Sequence, residues 1–285
     1  MPTTTHEPRR MATGFLHPGA MGASLAAACR GTRLWCSDGR SEATRARAAA
    51  VGMEEVDSLK ALVERADVLI SVCPPAAAAT VAQAVAEAGF DGTYVDVNAI
   101  SPASARAIGE RFARFVDGGV IGPPVGAAGS TRLYLSGEMA ADVADLWGET
   151  PLQTRVIEGG AGAASAVKIC FAAWTKGTAA LLLAIRALAE AEGVEPALLA
   201  EWQTSMPGLA EQAEHAASTS APKAWRFAGE LHEIADSFAA HELPDGFGRA
   251  AAEVYDRLAG FKDTTTPTLP AVIKALNDGA REMMQ

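Results

Sequence analysis

The sequence predicts an α/β half followed by an all-helical half, and three observations carry that prediction. Short apolar runs alternate with alanine-rich helical stretches as far as residue 121, a turn of glycine and proline stands at the first strand-to-helix junction, and a nearly proline-free stretch covers residues 163–192. Strands alternating with helices at this rhythm give βαβ units and a parallel sheet. The long stretch reads as one helix linking the halves. A chain of 285 residues has length for two such domains.

Taken in order, residues 11–16 read as a strand, 17–22 as a tight turn and 23–29 as a helix. A second strand over 32–37 leads into a helix over 41–50, whose Glu42, Arg45 and Arg47 suit a solvated face. The alternation continues with a strand at 67–73, a helix at 76–88, a strand at 92–97, a helix at 102–115 and a glycine-rich strand at 115–121. Downstream of the long helix everything reads as helices punctuated by Gly193, Pro196, Pro207, Pro222, Pro244 and Pro267. The expected organisation is a polar tail at 1–10, an α/β domain at 11–160 and a helical domain at 161–285.

Composition narrows the class. Twenty-four basic against 34 acidic residues give a net charge of −10, the wrong sign for nucleic-acid binding through a basic footprint. Hydrophobic residues make up 49%, enough for a sizeable core. The four cysteines, Cys29, Cys36, Cys73 and Cys170, form no CxxC pair, which argues against structural zinc and disulfides and for a reduced, cytoplasmic setting. The most apolar stretch, 179–185, is cut by Arg186 well short of the ~20 residues of a spanning helix, so no membrane segment is expected. No metal site is expected either: His232 lies between Glu230 and Glu233 without a convincing third ligand.

The turn His17-Pro18-Gly19-Ala20-Met21-Gly22 is the most informative local feature. Gly19 and Gly22 have the spacing of the second and third glycines of a dinucleotide-binding turn, where the backbone approaches a pyrophosphate and a helix N-terminus faces it. His17 takes the place of the first glycine and reads as a turn residue beside the cofactor. After the second strand, Ser37, Gly39, Arg40 and Ser41, with Arg45 nearby, form a local cationic patch in an acidic protein. That patch favours the 2′-phosphate of NADP, while Asp38 keeps NAD open.

The segment from Gly14 through Gly22, then Val95-Asp96-Val97-Asn98-Ala99-Ile100-Ser101-Pro102, then Gly162 through Lys168 resemble, in order, the three signatures of the β-hydroxyacid dehydrogenases. That superfamily includes 3-hydroxyisobutyrate and 6-phosphogluconate dehydrogenases and the related imine reductases. The string Lys168-Ile169-Cys170-Phe171-Ala172-Ala173-Trp174-Thr175-Lys176-Gly177 is similar to a branch with a phosphogluconate-dehydrogenase-like C-terminal domain. The resemblance implies a Rossmann domain, a helical domain, and a homodimer formed through the long helix. It implies that Lys168 is the catalytic proton relay, that Asn98 lies near the nicotinamide, and that Cys73 and Pro74 follow a cofactor-facing strand. The substrate segment departs from the pattern: Ile121, followed by Gly122, stands for a serine, and Ala172, preceded by Phe171, stands for an asparagine. Both changes remove hydrogen bonds to a substrate carboxylate.

Thr175 and Ala172 share the helical face of Lys168 at ~100° per residue, and Lys176 is a second candidate cation. His232 is a candidate pocket residue of the helical half. The expected function is an NADP-dependent oxidoreductase acting on a small carbonyl or alcohol. The alternatives are an imine reductase and a nicotinamide-nucleotide-binding protein without turnover.

Overall fold

The computed structural model describes residues 11–126 and 129–282, so the expected tail at 1–10 lies outside the described residues. The chain forms two compact units that meet between Lys168 and Ile169.

The first unit runs β1 (Ala12–Phe15), α1 (Ala20–Ala28), β2 (Thr32–Cys36), α2 (Glu42–Ala50), β3 (Glu54–Val56), α3 (Leu59–Arg65), β4 (Val68–Ser71), α4 (Ala78–Glu87), β5 (Thr93–Asp96) and α5 (Pro102–Gly109). It continues through β6 (Phe115–Ile121), β7 (Arg132–Ser136), α6 (Ala140–Ala144) and β8 (Gln153–Val156). Serines start several helices: the side chains of Ser41, Ser58 and Ser101 accept from Thr44 N, Ala61 N and Ser104 N, each satisfying an otherwise open first-turn donor.

The strands form one sheet in the order β3-β2-β1-β4-β5-β6-β7-β8. Alternate strand residues feed two cores: Trp35, Ile70 and Val95 enter one, and Leu34, Leu69 and Tyr94 the other. A sheet buried on both faces in this way needs strands that are apolar throughout, as parallel α/β sheets have. The parallel expectation fails at one pairing, since β6 and β7 are antiparallel. Their connection holds only ten residues, too few for a helical crossover, so the chain doubles back.

α7 (Ala163–Ala191) opens with a turn belonging to the first unit, and its remainder belongs to the second. That unit continues with α8 (Glu195–Ser205), α9 (Leu209–Ser220), α10 (Ala224–Ala239), α11 (Gly246–Arg257) and α12 (Leu269–Glu282). Its core joins Leu183, Trp202, Leu231, Ile234, Tyr255 and Val272. The boundary was expected at 160, some eight residues earlier. It moves because the start of α7 is tied to the sheet by β6: Ser165 donates from its N (2.8 Å) and Oγ (2.6 Å) to the Asp117 carboxylate.

The membrane expectation also needs correcting on length. Lys168, Lys176 and Arg186 are spaced widely enough that α7, with 29 residues, is long and apolar enough to cross a membrane by composition alone. Within its own unit, however, the cations of α7 are answered by protein groups. Arg186 pairs with Glu195 at 2.5 Å and Lys176 with Glu230 at 2.8 Å.

Candidate functional site

The sheet order reverses between β1 and β4, and in open α/β sheets ligands bind at the carboxyl ends of the strands flanking such a reversal. The turn after β1 sits at that crevice. Gly19 N donates to His17 O at 2.8 Å, closing the turn, and Gly19 caps α1 without a side-chain hydrogen bond. A Cβ at Gly22 would lie 2.3 Å from the His17 carbonyl oxygen, so only glycine lets α1 pack this closely on the turn. A Cβ at Gly19 would meet nothing within 4 Å, which leaves the helix N-terminus open. Pro18 is buried beneath the turn, while Ala20 is exposed and Met21 half-buried at its rim.

Two side chains converge beside this turn with polar atoms that lack a protein partner. His17 Nδ1 and Arg40 Nε are both buried and unbonded. Burial and then the charge of Arg40 hold the imidazole of His17 down at about 4, so it is neutral at physiological pH. A neutral imidazole and a guanidinium with open donors suit a phosphorylated or hydroxylated sugar, and these residues fit a dinucleotide. The rest of the expected patch divides. Arg45 is spent on Glu55 Oε1 and the Ser37 carbonyl, both at 2.9 Å. Ser41 caps α2, Gly39 occupies a positive-φ turn position, and Asp38 points to solvent.

On the other side of the crevice, β4 ends in Ser71 and leads into Cys73 and Pro74. Asn98, expected beside the nicotinamide, is only 2% exposed, and its amide is fully engaged in the scaffold. Its Oδ1 accepts from Cys73 N at 2.6 Å, and its Nδ2 donates to Ser71 Oγ at 3.0 Å and Asp96 Oδ2 at 2.9 Å. Asp96 Oδ1 accepts from Asn98 N at 2.9 Å. Burial pushes the Asp96 carboxyl up to about 7, with the Asp117 carboxylate of β6 adding to the effect. Burial raises Asp117 as well, against the Ser165 hydrogen bonds that hold it down.

Lys168 lies one helical turn beyond Ser165, on the stretch of α7 that rests on β6. A Cβ on Gly119 would come within 2.7 Å of the Ala164 carbonyl oxygen and 3.1 Å of Lys168 Cβ. Gly119 is therefore what lets α7 lie against the strand and fixes where Lys168 emerges. Ile121 is buried at the end of β6, and Gly122 follows it with a positive φ of 123°.

The remaining candidates sit in the second unit and do different work there. Ala172 is buried in the helical core, while Phe171 is exposed. Thr175 Oγ1 donates back to the Phe171 carbonyl at 3.1 Å. The Lys176 ammonium forms its ion pair with Glu230 at side-chain exposures of 11% and 14% and lies 4.9 Å from the centroid of the Phe227 ring. That ion pair holds Lys176, the second candidate cation, within the helical unit. His232 lies exposed on α10, off the core face that carries Leu231 and Ile234. No cluster of His, Cys, Asp and Glu among the described residues can hold a metal ion.

Sequence reasoning passed over Asp96, Asp117, Ser71 and Ser165. Each carboxylate stands alone in an apolar strand, and that isolation was the available signal.

A family model, Domain of unknown function (DUF1932), matches residues 189–258. A solved structure described as conserved protein MTH1747 of unknown function, with structural similarity to 3-hydroxyacid dehydrogenases, superposes with a TM-score of 0.66. It is 26% identical, over 88% of this chain and 98% of that one. The chain has the fold of the 3-hydroxyacid dehydrogenases. Within that fold, the Mycobacterium tuberculosis 3-hydroxyisobutyrate dehydrogenase is similar at a TM-score of 0.69 and 21% identity, over 93% of this chain and 99% of that one. A reductive aminase from Aspergillus terreus, solved with NADPH, is similar at 0.54 and 19%, over 96% and 100%. A curated relative from Methanothermus fervidus, an uncharacterized 28.5 kDa protein in the 7S RNA 5′ region, is 32% identical over 168 residues. The match covers 58% of this chain and 64% of that relative's length.

Proposed function

We propose that the protein is an NADP-dependent oxidoreductase that moves a hydride between nicotinamide and a small carbonyl or alcohol, with Lys168 as the proton relay. The observation that carries the reading is the crevice: an open α1 N-terminus over Gly19 beside the orphaned donors of His17 and Arg40. Arg40 is the residue that favours the 2′-phosphate of NADP over NAD. The likeness to 3-hydroxyisobutyrate dehydrogenase and to a reductive aminase solved with NADPH supports the reaction class.

When bound, the nicotinamide supplies or accepts the hydride. The chain supplies the rest. In the reductive direction the Lys168 ammonium gives its proton to the carbonyl oxygen as negative charge develops there. In oxidation its neutral amine takes the proton of the alcohol. A second reading, reduction of a C=N bond, is favoured by one specific observation. Ile121 is a buried apolar side chain where a carboxylate-binding serine is expected, so an uncharged imine meets less penalty than a hydroxyacid.

The Lys168→Ala variant tests the assignment. With NADPH oxidation screened against cyclic imines, keto acids and aldehydes, the variant should lose about 10²–10⁴-fold in turnover while its NADPH affinity stays within a few-fold. A wild-type protein that binds NADPH and turns over none of the panel supports a binding protein without catalysis. Absence of NADPH and NADH binding removes the whole reading.

A further inference from the structure

The buried polar atoms between β4 and β5 form a closed set, and all of it ends on one backbone amide in the crevice. Asn98 Oδ1 holds Cys73 N at 2.6 Å, the amide that opens the loop after β4. Asn98 is in turn held by Asp96 at two points, through its backbone N and its Nδ2, both at 2.9 Å, and by Ser71 Oγ at 3.0 Å. The acceptors on its two donors fix the rotation of the Asn98 amide and so aim Oδ1 at Cys73 N. An ionised Asp96 offers acceptors alone. A protonated Asp96 carries one hydroxyl donor, which opposes a donor of Asn98.

We infer that Asp96 and Asn98 are positioning residues that set nicotinamide-nucleotide affinity by clamping the Cys73-Pro74 loop, and that the clamp is closed when Asp96 is ionised. This rests on the nucleotide reading of the crevice given above. It assigns Asn98 a role carried through the loop, without contact to the cofactor.

The groups that face Asp96 decide whether the clamp titrates near neutrality. They are Ser71 and the Cys73 thiol from β4 and its loop, Asn98 and the Tyr94 phenol from β5 and its end, and Asp117, its register partner on β6. Burial pushes Cys73 up to about 11 and Tyr94 higher still, so both stay neutral between pH 6 and 8. Asp117 disfavours a second nearby negative charge and moves the Asp96 transition in the same direction as burial, to about 7. Nucleotide affinity then weakens as pH falls through that value.

Two measurements on the full chain test this. In the unliganded protein, amide exchange of the peptide covering residues 72–77 should be faster in Asp96→Asn and Asn98→Ala than in wild type at pH 8. The wild-type Kd for NADH and for NADPH should weaken several-fold from pH 8 to pH 6. Asp96→Asn should bind about tenfold more weakly at pH 8, the size of one lost charge-assisted hydrogen bond, with a flattened pH profile. NADH separates the clamp from titration of the NADPH 2′-phosphate, whose second pKa is about 6. Unchanged exchange in both variants, a flat wild-type profile, or an Asp96→Asn profile that matches wild type overturns the clamp. If Asp96→Asn does not fold, Asn98→Ala still carries the exchange comparison. If neither nucleotide binds wild type at any pH, the reading of the crevice is what fails, and exchange alone then judges the clamp.

Discussion

Two ionisable side chains, buried Asp96 and half-buried His17, pull the stability of this protein in opposite directions as pH changes. Asp96 has a folded pKa raised to about 7, so the fold binds its proton more tightly than the unfolded chain does. Its contribution is full below about pH 4 and is lost as pH rises through 7. His17 is held down at about 4, so its contribution is present above about pH 6.5 and is lost as pH falls through 4. The two windows nearly coincide, and their slopes offset. Replacing Asp96 with Asn should leave the His17 slope exposed, so the midpoint of thermal unfolding should climb more steeply from pH 4 to 6.5 than in wild type. A parallel melting series on both proteins checks this, and identical slopes would remove Asp96 as a contributor. At the same scale, Lys176 and Glu230 form a largely buried pair, and removing one charge strands the other. Lys176→Met should cost about 3 kcal/mol by denaturant unfolding, and Lys176→Met with Glu230→Gln should recover part of that loss.

At the scale of elements, the contact between β6 and the start of α7 places the proposed acid. Gly119→Ala would force a methyl to within 2.7 Å of a backbone oxygen and against the stem of Lys168. The helix must then shift, and turnover should fall by at least about tenfold, since small displacements of a reacting group are costly. NADPH binding, which depends on β1, β2 and β4, should change little. Steady-state kinetics beside fluorescence titration separate the two effects, and equal losses in both would contradict the placement.

Most of these elements were legible in the sequence. β1, β2, β5 and the long helix fall within a residue or two of their expected limits, because apolar runs between glycines and alanine-rich stretches leave little choice. β3, α3, β7, α6 and β8 were not read. β3 is a three-residue strand with two acidic residues, and β8 is largely exposed, so neither carries the apolar signature of a strand. At the site, the glycine turn and Arg40 were legible because local backbone demands fix them. The Asp96–Asn98 and Asp117–Ser165 links were not, since each joins positions whose partnership exists only once β4, β5, β6 and α7 are assembled.

At the scale of the whole molecule, four large apolar side chains of α7 stand exposed among the described residues. Phe171, Trp174, Leu181 and Leu188 are all exposed, at steps of three and seven residues that place them along one stripe. Exposed large apolar side chains in register mark an association surface, and the proposed occupant is a second copy of the chain. Leu181→Glu should convert a dimer to a monomer in light scattering and lower the melting temperature with it. A wild-type monomer at micromolar concentration would contradict the proposal.

The exposure of Trp174 gives that stripe an optical reading. Among the five tryptophans, Trp35, Trp147 and Trp202 are buried, Trp225 is half-exposed against Lys262, and Trp174 is 73% open to water. An indole in water emits at longer wavelength than one in a dry setting. Self-association that covers Trp174 must therefore move the intrinsic emission to the blue as protein concentration rises, and Trp174→Phe must abolish that movement. The helix carries its own gauge of whether it is alone.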